Sequence, residues 1–230
     1  MSGEAASRKV ASFEFLGTGS KALDGLLGGG YREGRLVELF GRSNSGKSQF
    51  AMQAALFAAR RGKKCLFVDT EGAFRPERIE EIARARGWES QAALQRIIYL
   101  RADSSAEQME AVARMNERSA TADCRLVVID TLTRNFSLDL PGRSNLAGRQ
   151  GAIDVHLSEM ARDAFLNMRA YLLTNRVTFG QSYDVGVGGR TVEQLVHASV
   201  RLQREGPSVR ATLVATGESV VVSLGQRGLD

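Results

Sequence analysis

One eight-residue segment, Gly41–Ser48, constrains the fold of this chain more than any other. It reads Gly-Arg-Ser-Asn-Ser-Gly-Lys-Ser, which fits the pattern G-x-x-x-x-G-K-[ST]. An apolar run over residues 36–40 precedes it, and a run of helical character over residues 49–58 follows it. A glycine-rich turn between a strand and a helix is the context in which this pattern binds phosphate. The segment therefore predicts a phosphate-binding loop in an α/β fold.

The residue types of this loop suit the phosphates of a nucleoside triphosphate. Gly41 lets the chain turn sharply off the strand, and Gly46 lets backbone N–H groups approach a phosphate closely. Lys47 can reach the β- and γ-phosphates, and the hydroxyl of Ser48 can ligate Mg²⁺. The predicted nucleotide-binding residues of the loop are Gly41, Arg42, Ser43, Asn44, Ser45, Gly46, Lys47, Ser48 and Gln49.

Composition places the chain among ordinary globular proteins. Its 230 residues are 43% hydrophobic and 25% charged, which suits one α/β core. No apolar run approaches the length of a membrane span, and the first residues lack the apolar stretch of a secretory signal, so we expect a cytoplasmic protein without a membrane partner. Cys65 and Cys124 each open an apolar run and are expected to be buried and unpaired. The net charge of +5 permits an anionic partner without establishing one.

Apolar and amphipathic segments alternate along most of the chain. The predicted strands are residues 36–40, 65–69, 97–100, 126–130 and 171–174, and the predicted helices are residues 47–61, 76–86, 105–119 and 146–168. Strands separated by helices imply right-handed crossovers and a mostly parallel central sheet flanked by helices. Three short β-branched runs, at 198–203, 209–216 and 219–224, predict a C-terminal antiparallel β meander on the sheet edge. We expect a flexible N-terminal tail over residues 1–12 and a single domain over residues 13–230.

Polar residues follow three of the predicted strands, at the edge where open α/β sheets bind their ligands. Asp130 ends one strand and is the candidate second Mg²⁺ ligand beside Ser48. Glu71 follows another, where a carboxylate could position water near the γ-phosphate; the alternative is a carboxylate that caps the turn before the next helix. Asn175 and Arg176 follow a third strand and are candidate sensors of the γ-phosphate, or else the start of a solvated loop.

Several segments resemble archaeal RadA recombinases and their eukaryotic strand-exchange relatives. They are residues 18–30, residues 38–41 with the phosphate loop, residues 69–79 and residues 142–150. The resemblance extends from about residue 15 to the end of the chain. It implies a RecA-like P-loop ATPase core with ATP and Mg²⁺ as cofactors.

The resemblance also implies roles for individual residues. Glu71, with Lys47, would be catalytic, and the planar guanidinium of Arg78 would stack on adenine. Arg143, Arg149 and Arg190 would lie on two loops that face DNA, where arginines suit contacts to phosphate.

The sequence also departs from those recombinases. Arg176 stands where they usually have glutamine, the second DNA-facing loop is short, and their subunit-joining Phe-x-x-Ala motif has at most a trace at residues 13–16. Their small helical N-terminal domain and proline-containing nucleotide cap are not visible. These departures resemble a RadA paralogue of the short archaeal RadB type. Such a paralogue is expected to bind ATP, to be a weak DNA-dependent ATPase, and to assist a RadA-type recombinase on single-stranded DNA.

Several alternatives stay open at this stage. Double-stranded DNA is a second candidate partner, and oligomers are allowed although long filaments are not expected. The chain would act in the prokaryotic cytoplasm, at the nucleoid. It could instead be a self-sufficient strand-exchange ATPase, or a RecA-fold ATPase of the KaiC type outside recombination. Arg176 could stabilise the γ-phosphate as an arginine finger, or pair with Glu71 or Asp130 and hold the site idle. His156 is expected to be a surface or partly buried residue of a helix.

Overall fold

A nine-stranded sheet organises the chain. The computed structural model describes residues 13–117, 119–121, 123–179 and 184–230, so the predicted tail at 1–12 lies outside the described residues. The helices are α1 (Lys21–Leu26), α2 (Lys47–Arg60), α3 (Pro76–Ala85), α4 (Gln91–Leu94), α5 (Ser105–Ala113), α6 (Arg134–Asp139), α7 (Leu146–Asn167) and α8 (Gly189–Leu195). The strands are β1 (Phe15–Leu16), β2 (Tyr31–Arg32), β3 (Leu36–Gly41), β4 (Lys64–Asp69), β5 (Ile97–Arg101), β6 (Cys124–Asp130), β7 (Ala170–Asn175), β8 (Val177–Phe179), β9 (Asp184–Gly186), β10 (Ala198–Glu205), β11 (Ser208–Leu213), β12 (Ser219–Gly225) and β13 (Gly228–Leu229).

The order of strands confirms the predicted architecture. The main sheet runs β13-β12-β11-β10-β3-β7-β6-β4-β5. Strands β10, β3, β7, β6, β4 and β5 are parallel, and β10 to β13 form an antiparallel meander. The first meander strand pairs directly with β3, the strand that leads into the phosphate loop. The meander therefore extends the sheet from the strand that leads into the phosphate loop.

Helices cover both faces of the parallel sheet, and each face buries its own apolar cluster. On one face α2 contributes Phe50 and Leu56, and on the other α7 contributes Leu157 and Met160. Cys65 belongs to the first cluster and Cys124 to the second, and both are buried and unpaired. This confirms the prediction for the cysteines, since opposite faces of a sheet cannot share a disulfide.

Some elements differ from the prediction. Helix α5 ends at Ala113 and not at residue 119, because Met115 packs into the core and its carbonyl oxygen accepts a hydrogen bond from the Thr121 hydroxyl at 2.7 Å. The short helices α4, α6 and α8 and the β8–β9 hairpin were not predicted. None of the helices within the described residues combines the length and the apolar character needed to cross a bilayer.

Candidate nucleotide-binding site

A cleft of about 620 Å³ opens at the carboxyl ends of β3, β4, β6 and β7. Of the predicted site residues, those that line it are Ser43, Asn44, Gly46, Lys47, Ser48, Gln49, Glu71 and Arg176. The carboxyl ends of parallel strands meet at one edge, which is where α/β sheets of this kind bind ligands. The fold thus brings most of the predicted nucleotide-binding residues into one cleft.

The phosphate loop adopts the strand–turn–helix geometry that its sequence predicts. Gly46 precedes α2 in the left-handed region, with φ of 96°. A side chain at Gly41 would collide with the carbonyl oxygen of Leu202, so only glycine fits beside the neighbouring strand. Gly41, Arg42 and Ser45 do not line the cleft; they line a separate pocket beside β10.

The ammonium group of Lys47 folds back onto its own loop. Its Nζ donates to the carbonyl oxygens of Gly41 at 2.9 Å and Arg42 at 2.8 Å. Burial lowers the pKa of Lys47, although the nearby carboxylates of Asp130 and Glu71 act in the opposite direction. These contacts hold the ammonium group at the cleft. A phosphate that enters the loop would replace the two carbonyl oxygens as the hydrogen-bond partner of Lys47.

Asp130 has the properties of a metal ligand. Its carboxylate is buried, and Oδ1 accepts a hydrogen bond from the Thr174 hydroxyl. Among the described residues, Oδ2 has no hydrogen-bond partner. Burial raises the pKa of Asp130, while hydrogen bonds from Thr174 and Ser48 lower it. A buried, unsatisfied carboxylate oxygen beside a serine hydroxyl fits Mg²⁺, so Ser48 and Asp130 are the residues that would hold this ion.

The described residues provide no self-sufficient metal cage. Within them, no group of three or more histidine, cysteine, aspartate or glutamate side chains could hold a metal ion. Mg²⁺ commonly takes one or two protein ligands and completes its shell with water and substrate phosphates. The Ser48–Asp130 pair suits that mode of binding.

Glu71 and Arg176 meet in an ion pair inside the cleft. Arg176 Nη2 lies 2.9 Å and Nε 3.0 Å from Glu71 Oε1, and the Thr131 hydroxyl donates to the same oxygen at 2.9 Å. Burial tends to raise the pKa of Glu71, but the hydrogen bonds from Arg176 and Thr131 outweigh it, so the pKa is lowered. The candidate catalytic carboxylate is therefore ionised and already engaged.

A second carboxylate fixes the position of Glu71. Asp69 ends β4 and is buried; its Oδ1 accepts the backbone N–H groups of Glu71 at 3.0 Å, Gly72 at 2.8 Å and Ala73 at 3.2 Å. Its Oδ2 accepts the N–H group of Phe74 at 3.0 Å. A turn held by four such bonds has little freedom, so Glu71 is presented to the cleft from a rigid base.

Asn175 is buried beneath the cleft and does not line it. Its side-chain amide bonds to Glu38, Val187, Thr133 and the backbone of Arg176. Of the two predicted γ-phosphate sensors, only Arg176 therefore lies in the cleft.

Arg78 bridges three elements at the end of the cleft near the meander. Its Nε donates to Gln49 Oε1 at 2.8 Å, and its Nη2 donates to the carbonyl oxygen of Gly225 at 2.6 Å. It also pairs with Glu81, with 3.0 Å between Nη1 and Oε2. The guanidinium lies behind Gln49, which lines the cleft, and Arg78 itself does not. Its stacking on adenine stays a prediction.

Two of the candidate DNA-binding arginines lie at or near the start of α7. Arg143 is exposed in the loop before α7, and Arg149 donates from Nη1 to the carbonyl oxygen of Leu140 at 2.9 Å. Arg149 lines a groove of about 340 Å³ whose other wall includes Val177 and Val187, at the base of the β8–β9 hairpin. The side chain of Arg190 lies outside the described residues. Helix α7 and the base of the hairpin thus line one groove.

Two contributing residues were not predicted. Glu38 lies in the middle of β3, buried, and burial raises the pKa of its carboxyl despite hydrogen bonds from Asn175 and Ser199. The clue was one acidic residue within an otherwise apolar strand. Thr131 follows Asp130 directly and holds Glu71, and the sequence carried no sign of this contact.

Comparison with known proteins agrees with the resemblance to RadA recombinases seen in the sequence. A model of the Rad51 family matches residues 9–192. The DNA repair and recombination protein RadA of Metallosphaera sedula is 37% identical over 206 residues, which cover 84% of this chain and 64% of the relative. The protein of the same name from Ignicoccus hospitalis is 37% identical over 203 residues, which cover 81% of this chain and 62% of the relative.

The chain spans less than two thirds of the length of these curated relatives. The family match nevertheless covers the phosphate loop, Glu71 and Arg176, which line the cleft, and Asp130, which is buried near Lys47. The fold, the cleft and the matched residues agree with the resemblance found in the sequence, and the chain belongs to the Rad51 family.

Proposed function

We propose that this chain is an ATP-binding RadA paralogue that contacts DNA and modulates a principal recombinase, with slow ATP hydrolysis of its own. The support for nucleotide binding is the cleft, in which the phosphate loop, Asp130 and Glu71 converge. ATP is the substrate to which the family membership points, and Mg²⁺ would neutralise charge on its phosphates when bound.

One observation carries the proposal of slow hydrolysis: the ion pair between Glu71 and Arg176. A carboxylate that positions water must accept a hydrogen bond from that water. Here Oε1 of Glu71 already accepts from both Arg176 and Thr131. Its lowered pKa also makes it a weaker base. The ion pair therefore competes with water for Glu71 and slows turnover, and release of Arg176 makes the whole carboxylate available.

In the proposed cycle, the chain's own groups move in a defined order. The ammonium of Lys47 leaves the carbonyl oxygens of Gly41 and Arg42 and pairs with the triphosphate. Arg176 then leaves Glu71, which ends the ion pair that restrains the carboxylate. This frees Glu71 to hold the attacking water, while Asp69 keeps its backbone in place.

The DNA contact is supported by two arginines, one in the loop before α7 and one in the first turns of α7. Arg149 lines the groove at the base of the β8–β9 hairpin, and Arg143 is exposed in the preceding loop, so both could contact a nucleic-acid backbone. Single-stranded DNA is the proposed ligand, and double-stranded DNA is the second candidate.

The experiment combines three measurements on the same protein. Binding of a fluorescent ATP analogue should require Lys47. Phosphate release should be slow, and its rate should rise when single-stranded DNA is added. The logarithm of the DNA affinity should fall linearly with the logarithm of the salt concentration. The Lys47→Ala variant is the matched control for all three. Fast hydrolysis without DNA would contradict the proposed weak activity, and DNA binding without a salt slope would contradict the arginine contacts.

The helper role requires its own test. The chain is mixed with a RadA-type recombinase and single-stranded DNA, and filament nucleation and strand exchange are followed with and without ATP. A change in nucleation or disassembly supports the helper role, and no change rejects it. If the chain alone sediments as long filaments and exchanges strands, it is a self-sufficient recombinase instead.

A further inference from the structure

Strand β3 carries a buried carboxylate that the proposed chemistry does not use. Glu38 lies three residues before Gly41 and is 3% exposed. Its Oε1 accepts a hydrogen bond from Asn175 Nδ2 at 2.8 Å, and its Oε2 accepts one from the Ser199 hydroxyl at 2.8 Å. The carboxylate thus connects β3 with β7 and β10, its neighbours on either side.

The side-chain amide of Asn175 links Glu38 to the β8–β9 hairpin. Besides the bond to Glu38, its Nδ2 donates to the carbonyl oxygen of Val187 at 2.7 Å. Its Oδ1 accepts from the Thr133 hydroxyl at 2.7 Å and from the N–H group of Arg176 at 2.9 Å. A primary amide has two N–H donors and two lone pairs, so all four are used and the orientation of the group is fixed.

Val187 is the point at which the hairpin rejoins the body of the protein. It follows β9, and its own N–H group donates to the carbonyl oxygen of Arg176 at 2.8 Å, next to the start of β8. Gly186 packs directly on the carboxylate, since a Cβ added there would lie 2.8 Å from Glu38 Oε1. Both strands of the hairpin are therefore held at their base by one buried group of polar side chains.

We propose that Glu38 is a positioning residue that acts through Asn175 to set the position of the β8–β9 hairpin. The connection runs through hydrogen bonds of the buried side chains of Glu38 and Asn175, from the strand that leads into the phosphate loop to the hairpin beside the candidate DNA groove. Arg176 offers a separate route, because it contacts Glu71 at the exposed cleft. In the nucleotide-free protein, Glu38 sets the position of the hairpin. Any change in that position when nucleotide binds depends on Arg176. The DNA part of this inference rests on the proposed function.

Amide hydrogen exchange tests the connection without DNA or ATP. In Glu38→Ala, Asn175 loses its acceptor and the bond to Val187 loses its fixed geometry, so exchange at Val187 should become at least about tenfold faster. In Glu38→Gln the amide oxygen still accepts from Asn175, and the amide nitrogen can donate to the Ser199 hydroxyl, which also accepts. Exchange at Val187 should then stay near the wild-type rate.

Gln53→Ala is the matched control, because it also removes a buried polar side chain. Gln53 bonds to Leu229 and Thr18, away from the hairpin. Faster exchange at Val187 in Glu38→Ala, with rescue by Gln and no such change in Gln53→Ala, supports the proposal. Equal effects of the two alanine variants, or no change at Val187, would show that Glu38 merely supports the fold.

A second variant keeps the test decisive if Glu38→Ala does not fold. In Gly186→Ala, the added methyl group displaces the hairpin from the carboxylate of Glu38. Amide exchange at Val187 should increase as it does in Glu38→Ala. An exchange rate at Val187 equal to that of the wild type would overturn the proposal. Affinity for a single-stranded oligonucleotide without nucleotide should fall about tenfold in either variant. If the wild type shows no salt-dependent DNA binding, the proposed function fails, while the exchange at Val187 still decides the role of Glu38.

Discussion

Replacing Arg176 by glutamine separates two opposite roles of this residue. If the ion pair with Glu71 restrains hydrolysis, its loss should raise turnover. The pair is largely solvated, with side-chain exposures of 57% for Arg176 and 25% for Glu71, so it stabilises the resting site by only about 0.2–1 kcal/mol. That corresponds to at most about a fivefold increase in rate. An arginine finger would behave in the opposite way, with a loss of about 10³-fold or more.

The assay is steady-state phosphate release with saturating single-stranded DNA, measured across pH. Without Arg176, the pKa of Glu71 should rise, because the strongest hydrogen bond that lowers it is gone. The acid limb of the pH–rate profile should therefore move to higher pH. Arg204→Gln is the matched control, since Arg204 lines the same cleft but donates to the carbonyl oxygen of Gly206. A large fall in turnover, or an acid limb that does not move, would refute the reasoning.

Four further predictions follow from individual contacts. Asp130→Asn should raise the Mg²⁺ concentration for half-maximal ATP-analogue binding about tenfold or more, measured by fluorescence titration, since it weakens the unsatisfied ligand oxygen. His156 is buried and has no hydrogen-bond partner in the part of the chain that the structure describes, and burial lowers its pKa to about 4. Unfolding in urea should therefore show about 3 kcal/mol of stability lost between pH 6.5 and 4, and this loss should be absent in His156→Leu. Arg149→Ala should reduce the slope of log affinity for DNA against log salt by about 1, in anisotropy titrations. Gly41→Ala should lower the free energy of unfolding by about 1–3 kcal/mol in the same urea assay, because its Cβ would collide with Leu202.

Periodicity in the sequence was sufficient to predict the parallel sheet and the cleft. Apolar runs of strand length alternate with amphipathic helices, and the polar residues just after the strands had to meet at one edge. Glu71, Asp130 and Arg176 lie there as expected. The β8–β9 hairpin escaped prediction because its strands have three residues each, too few to show an alternating pattern.

Individual side-chain environments were harder to predict than elements. Asn175 follows an apolar strand in the same way as Arg176, yet one is buried and saturated with hydrogen bonds while the other reaches the cleft. His156 was expected to be a surface or partly buried residue, but on α7 it is fully buried, and its ring packs against Phe136 of α6. Such differences depend on which neighbouring elements supply partners, and the local sequence does not contain that information.

The two cysteines make the chain convenient for site-specific labelling. Cys65 and Cys124 are the only cysteines in the sequence, and they are 0% and 1% exposed. Burial raises the pKa of both thiols, that of Cys124 to about 11, so neither forms an accessible thiolate at neutral pH. A maleimide dye should therefore leave the native protein unmodified. A single cysteine introduced at exposed Ser144 would be the only reactive thiol, and a dye there would report directly on what approaches the loop before α7.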